Sequence, residues 1–525
     1  MDTSVFVDLL KHQDGKLLLL GISLLAVVYK VTRILYRFYF HPLAKIPGPP
    51  LAIATYLYEW YYDIWHHGTY NSRLPQLHEK YGPVLRLNPD EVHVLDHEYY
   101  PEVFNNTSGR VDKPEHIAGM IGPYPTTFGT AGYELHRLRR SAVSGFFSRA
   151  AVIELAPAIM RPLNILCDRL QNATQTEETL NMRYFFEAVT RDVIADYCFA
   201  RSPVDVLKND FNKQGFDEIE NFLSVNLLNI NFPALLRPLF YLPDWLAKIL
   251  FPPMMDTLDF RYDLSRQIEA IRNGDNEAYK ESAHRTIFHE ILSNEKLPPS
   301  ELAPNRIRDE AWTLMVAGSG TMYHPYDNAQ VLRVTSYHIS ANPDIRQRLF
   351  AELKNAIPDS DQIPTLQELE KLEYLSAVAR EGLRIADTLI HRLARTFPDK
   401  TMVHPSSGLS IPAGTTIYMS PCLMLHHNPL LFPEPYAFQP DRWLGSEGKK
   451  LEKYLSPFAR GTRDCLGLNL ARAELVIILA TIYRRFDFDV SAVVRRRDID
   501  MTRDFIVGAP AKDSPGILVK VKAAN

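Results

Sequence analysis

Cysteine is scarce in this chain. Four occur among 525 residues, at Cys167, Cys198, Cys422 and Cys465, and no two form a CxxC pair. Neither a zinc site nor a disulfide scaffold is indicated, and four reduced thiols suit a cytosol-facing protein. Excess charge is also lacking. The formal net charge is −4, so no nucleic-acid-binding surface is implied. No Gly/Ser linker, charge run or internal repeat divides the chain. A length prior of roughly 150 residues per domain suggests three or four domains. The lack of any boundary leaves one large domain open.

Long apolar runs are confined to one place, the uncharged stretch 17–29. A helix that spans a bilayer needs ~20 residues. The run reaches that length through Val31, Ile34, Leu35 and Tyr36 if Lys30 and Arg33 extend toward lipid headgroups. Lys30, Arg33 and Arg37 all follow the run, which places the rest of the chain on the cytoplasmic side. A retained anchor is expected rather than a cleaved signal, and a buried helix of the globular fold is the competing reading. Proline is plentiful, with 37 residues. Pro47, Pro49 and Pro50 predict a stiff, non-helical spacer after the anchor.

The strongest chemical signal is Phe458-Ala459-Arg460-Gly461-Thr462-Arg463-Asp464-Cys465-Leu466-Gly467. Its glycines permit a tight loop. Apolar residues at Leu470, Ala473, Leu475, Ile477 and Ile478 then predict a helix over 468–484. Cys465 would sit just before that helix's N-terminus, where the partial positive charge and free N–H groups favour a thiolate. A thiolate beside a flat apolar cofactor suits iron ligation. A lone cysteine in a Gly-rich loop is otherwise usually structural.

Every defined position of FxxGxRxCxG is met here, and in this the chain resembles the cytochrome P450 family. The resemblance implies that Cys465 is the axial ligand of heme b, iron protoporphyrin IX, held in a loop that includes Phe458, Gly461, Arg463 and Gly467. Glu381-Gly382-Leu383-Arg384 resembles the family's ExxR element, and the stretch around Arg442 its proline-rich meander. The resemblance implies a buried network of Glu381, Arg384 and Arg442 that fixes the cysteine loop. Arg395, in Arg392-Leu393-Ala394-Arg395, and the pair His136 and Arg140 are implied to meet heme propionates, as is Arg463. Arg137 and Arg139 read as a solvated basic face or a docking face for an acidic redox partner.

The pattern frays in one segment. Ala317, Gly318 and Thr321 match the family's oxygen-side motif, in which small residues leave room for dioxygen and the threonine relays protons. Gly320 stands where that motif has an acid, and Pro325 interrupts the helix that should follow, at about 3 kcal/mol. A distorted helix or a faulty gene model both account for this. Candidate substrate-lining segments are 117–128, 222–235, 317–321 and 505–509. They are apolar, as is 228–251, which reads either as a second membrane contact or as ordinary core.

The fold class expected from the resemblance is mainly α with a small β-rich subdomain, the cytochrome P450 fold, preceded by one N-terminal membrane helix. Residues 1–45 would be anchor and hinge, and 46–525 the heme-thiolate domain. The implied activity is insertion of one oxygen atom from O2 into a hydrophobic substrate. Implied partners are the membrane and a separate NADPH-cytochrome P450 reductase. The implied location is the endoplasmic reticulum membrane, single-pass, with the catalytic domain facing the cytosol. Similarity to filamentous-fungal members, including the trichodiene oxygenase group, points to a terpenoid or polyketide intermediate. The missing acid keeps two rivals in view: a heme-thiolate isomerase or dehydratase, and a degenerate heme protein.

Overall fold

Helices carry most of the chain, and among the described residues four small sheets, of four, three, two and two strands, accompany them. The computed structural model describes residues 13–105, 109–122, 124–223, 226–250, 255–282, 284–318, 328–388, 390–504 and 508–524. The N-terminal apolar run lies in α1, Gln13–Tyr39. Its segment Lys16–Tyr39 is long and apolar enough to cross a membrane, and almost none of it is covered by the rest of the protein.

The C-terminal end of α1 is fastened, not free. The Arg37 carbonyl accepts from Arg86 Nη1 at 2.8 Å, and Arg37 Nη1 donates to the Ala54 carbonyl at 2.5 Å. The Arg86 backbone N–H donates to the Pro47 carbonyl at 2.7 Å. Leu43 and Ile46 are buried. At Gly48 a Cβ would lie 2.5 Å from the Arg86 carbonyl oxygen, so only glycine lets the spacer lie this close. The proline stretch is non-helical only up to Pro49. Pro50 opens the short helix Pro50–Ala54, a position where its missing N–H costs nothing.

Arg86 ends β1, Val84–Arg86, which pairs antiparallel with β2, Glu91–Val94. Two further strands, β3 (Leu393–Thr396) and β4 (Thr416–Met419), complete the sheet in the order β1-β2-β4-β3. Only the β2·β4 pair is parallel. Arg395 lies on β3, so this sheet positions it. The main core is helical. It packs α2 (Tyr133–Ser144), α3 (Arg149–Thr176) and α4 (Met182–Phe199) with α5 (Pro304–Gly318), α6 (Asn328–Ala341) and α7 (Glu373–Ile385). Beyond α7 follow α8, Pro421–His427, and α9, Leu468–Arg485. α3 is also long and apolar, but it contributes Leu155, Ile159, Leu163 and Leu166 to the core.

Candidate active site

The cysteine loop closes on itself. The Cys465 N–H donates to the Phe458 carbonyl at 2.9 Å, and Ala459 (φ 56°) and Gly461 (φ 78°) turn the chain through the left-handed region. A Cβ at Gly461 would lie 1.8 Å from the Phe104 carbonyl oxygen. Gly461→Ala is therefore expected to lower stability by about 1–3 kcal/mol from backbone strain alone. Displacement of the loop should also reduce heme retention. Thermal unfolding together with heme content checks this, and a mutant equal to wild type in both would contradict it.

α9 starts at Leu468, as the apolar spacing predicts, with Gly467 as its N-cap. The Gly467 N–H draws the Cys465 thiol toward ionisation, but burial outweighs it and pushes the thiol up to about 12. Burial thus opposes the pull of the helix terminus, and a bound metal would displace the thiol proton. A Cβ built on Gly467 would meet only Cys465 Sγ, at 4.0 Å. The described polypeptide places no steric demand for glycine there, whereas a flat group seated on the sulfur would.

Cations gather beside this loop. Burial, then Arg463, Lys113, Arg140 and Arg395, bring the His136 imidazole down to about 3. Burial and Arg395 hold Arg463 down to about 10, and burial with Arg463 and Arg395 depresses Lys113 well below the usual lysine range. Groups that lower one another in this way suit an anionic guest, and two propionates fit that chemistry. Lys113 was missed in the sequence because no motif surrounds it. It donates to the Phe128 carbonyl at 2.8 Å and lies 3.8 Å from the Phe128 ring centre. Arg463 donates to the carbonyls of Thr130, at 2.7 Å, and Ala131. Arg140 donates to the Asp464 carbonyl at 2.8 Å and pairs with its carboxylate. Arg395 is buried, 4.4 Å from the Phe104 ring centre.

Two expectations for the basic helix need correction. Arg137 is exposed, but Arg139 is neither solvated nor free to dock a partner. It turns inward to Glu301 at 2.9 Å and to Thr130 Oγ1 at 2.8 Å.

The Glu381 carboxylate accepts from Arg384 Nε and Nη2, each at 2.8 Å, with both side chains 0% exposed. It also accepts from Arg442 Nε at 3.2 Å, the Trp443 indole N–H at 2.8 Å and the Gln439 backbone N–H at 2.8 Å. Arg384 reaches on to the Pro435 and Ala437 carbonyls. α7 is thereby tied to the stretch 433–443, which leads into the cysteine loop. Trp443 and Gln439 are members that the spacing argument did not supply.

A model of the family "Cytochrome P450" matches residues 47–514. The chain is a cytochrome P450. It is 34% identical over 519 residues to cytochrome P450 monooxygenase MO6277 of Ascocoryne sarcoides, covering 96% of this chain and 98% of that protein. It is 33% identical over 521 residues to N-acetyltryptophan 6-hydroxylase ivoC of Emericella nidulans, covering 98% and 99%. It is 34% identical over 489 residues to tryptophan 6-hydroxylase fscE of Fusarium equiseti, covering 93% of each. The family uses heme b, and this P450 is an oxidoreductase of the kind found in fungal secondary metabolism.

α5 runs from Pro304 to Gly318, so Ala317 and Gly318 form its last turn. Ala317 is exposed. Gly318 instead faces α4, where a Cβ would lie 2.5 Å from Ile194 Cγ1. Its smallness therefore serves helix packing against α4. Thr321, Gly320 and Pro325 lie outside the described residues. Glu310, two turns before Ala317, accepts the Thr127 backbone N–H at 2.8 Å and pairs with Arg306 at 2.6 Å, which pins segment 117–128 to α5. Tyr124 of that segment packs against Trp312 of α5 and against Phe240, with ring centres 5.5 and 6.0 Å apart. Of the predicted lining segments, 117–128 and 222–235 meet where Asn229 Nδ2 donates to the Gly119 and Met120 carbonyls at 2.7 and 2.9 Å, while 319–321 and 505–507 lie outside the described residues.

His338 of α6 stacks on Phe438 of the meander at 4.9 Å. Burial, then Arg495 and Arg384, bring it down to about 3. His136 and His338 are thus neutral when folded. Below about pH 6.5 the unfolded chain takes up protons on these rings and the folded chain does not. Stability of the heme-free P450 should accordingly fall as the pH drops from 6.5 toward 3. Urea unfolding at about pH 7 and about pH 5 reads the slope, and His338→Gln should flatten it. An unaltered slope in that mutant would remove His338 from the account.

Proposed function

We propose that this P450 is a membrane-anchored monooxygenase in which Cys465 ligates the heme iron. The closed loop that presents Cys465 beside the cations Lys113, Arg140, Arg395 and Arg463 carries the reading. Lys113, His136, Arg140, Arg395 and Arg463 would receive the propionates. Glu381, Arg384 and Arg442 would hold the cysteine loop in register. The bound heme supplies oxygen activation, with one atom of O2 entering a C–H or C=C bond and the other leaving as water. The protein's part is to orient the substrate, exclude water and deliver protons. We assign that last task to Thr321 acting with water, because Gly320 offers no carboxylate. Electrons would come from NADPH through a separate reductase.

We assign the substrate side to the segment around Tyr124, whose ring packs with those of Phe240 and Trp312. This supports a hydrophobic substrate, a terpenoid or polyketide intermediate. Relatives named as hydroxylases of tryptophan and N-acetyltryptophan favour a second reading, an indole. Reconstitution of the full-length P450 with its reductase in lipid nanodiscs, against both compound classes, tests these readings. NADPH-dependent formation of a product one oxygen heavier is expected. Turnover of a hydroperoxide without reductase would instead support the isomerase or dehydratase, for which the named monooxygenase relatives give no support. An intact thiolate spectrum without turnover of any class would favour a degenerate protein.

We place the catalytic body on the cytosolic face of the endoplasmic reticulum, held by α1. Exposed Leu235, Trp245 and Ile249 offer a second apolar contact. A truncation that begins at Ala44 should therefore remain partly membrane-bound in flotation assays. Complete solubility would argue against the second contact.

A further inference from the structure

A second cluster of metal-ligating side chains lies outside the heme site. Cys422 and His426 stand at i and i+4 on α8, one turn apart on one face. Asp387 follows the end of α7, where it takes a left-handed conformation (φ 46°) that usually falls to glycine. Its carboxylate meets both partners with one oxygen. The Cys422 thiol donates to Asp387 Oδ1 at 2.8 Å, and His426 Nε2 lies 2.5 Å from the same atom. The three ligand atoms all lie within 4.8 Å of one another.

We propose that Asp387, Cys422 and His426 form a second metal site that binds one zinc ion. A thiolate, an imidazole and a carboxylate are the donor types zinc takes in proteins. Tetrahedral zinc holds such atoms about 3.4–3.6 Å apart, so side-chain adjustments below about 1 Å convert the hydrogen-bonded cluster into a ligand set. The charges also close. Zinc replaces the thiol proton and the proton shared between His426 and Asp387, and one thiolate with one carboxylate leaves the site neutral. Arg384, which lines the adjoining small cavity, adds no net charge because Glu381 already matches it. Asp387 and Cys422 open onto that same cavity, which supplies room for a water as fourth ligand. No motif announces this site, because zinc motifs are read from paired spacings and Asp387 is 35 residues from Cys422.

The ion would brace the junction that the Glu381 network already serves. Asp387 lies three residues beyond Arg384. The His426 ring stacks on Tyr436 at 4.9 Å, beside the meander carbonyls that Arg384 reaches.

The test uses the full-length heme-loaded protein, equilibrated with buffered zinc and washed free of loose metal. Elemental analysis should give one zinc per heme iron, and zinc K-edge absorption should show one sulfur at about 2.3 Å with nitrogen and oxygen neighbours. Cys422→Ser keeps a hydroxyl that can donate to Asp387, so it preserves the hydrogen-bonded cluster while removing the thiolate. It should lose the zinc yet retain heme and the thiolate-type CO spectrum, and His426→Gln should behave alike. Wild-type protein without stoichiometric zinc overturns the proposal. Zinc retained in Cys422→Ser overturns it equally, since that metal would sit in porphyrin or elsewhere. Should both variants fail to fold, a wild-type zinc spectrum lacking sulfur still decides against the site.

Discussion

Cys465→Ala protein, reduced under carbon monoxide, is expected to lack the thiolate-type absorption band entirely and to retain little heme. The Cys465 N–H closes the loop on Phe458, and that backbone bond survives the substitution. The loop should therefore keep its shape while it loses the one atom placed to bind iron. Burial raises the Cys465 thiol, so on the proposed assignment the iron–sulfur bond would hold the anion. No other cysteine can substitute. Cys167 and Cys198 are buried in the helical core, and Cys422 is committed to Asp387. A thiolate-type spectrum in Cys465→Ala would end the central assignment.

Glu381→Ala should be nearly as damaging, through stability instead of chemistry. It strands the Arg384 guanidinium at 0% exposure and leaves Arg442, Trp443 and the Gln439 N–H without their shared acceptor. Breaking a buried pair by removing one partner costs about 3–5 kcal/mol. That is a large part of the ~5–15 kcal/mol that folded domains possess. Heme-free or aggregated protein is expected in expression trials, with the helical circular dichroism reduced. A soluble, heme-replete Glu381→Ala enzyme with wild-type melting temperature would show that the network is dispensable.

What could be read in advance was what lies close along the chain. The cysteine loop occupies ten consecutive residues, 458–467, so its geometry and its sequence pattern coincide. Glu381 and Arg384 lie one helical turn apart. Helix α9 and the anchor run show their apolar spacing directly. The errors fall where the partner is remote. Arg139 looked solvated because Glu301, its acceptor, is 162 residues away. The close packing of Gly318 on Ile194 carried no signal, because Ile194 belongs to another helix. Lys113 carries no signal at all, since its environment is made by Arg395 and Arg463 from two distant segments. Trp443 was visible in the meander, but only the packed structure aims its indole at Glu381.

The fastening of α1 to Arg86 and Ala54 has a mechanical consequence. The segment Lys16–Tyr39 has 24 residues, about 36 Å of helix, against a hydrocarbon core of about 30 Å. If α1 spans a bilayer as proposed, a helix that long can relieve the mismatch by leaning. Because its end is hydrogen-bonded to the sheet, the body must lean with it as a crank turns with its shaft. A thinner bilayer would lower one flank of the enzyme and a thicker one would lift it. Membrane thickness thus becomes a setting for how deeply Leu235, Trp245 and Ile249 sit in lipid, without any change in the enzyme's own conformation.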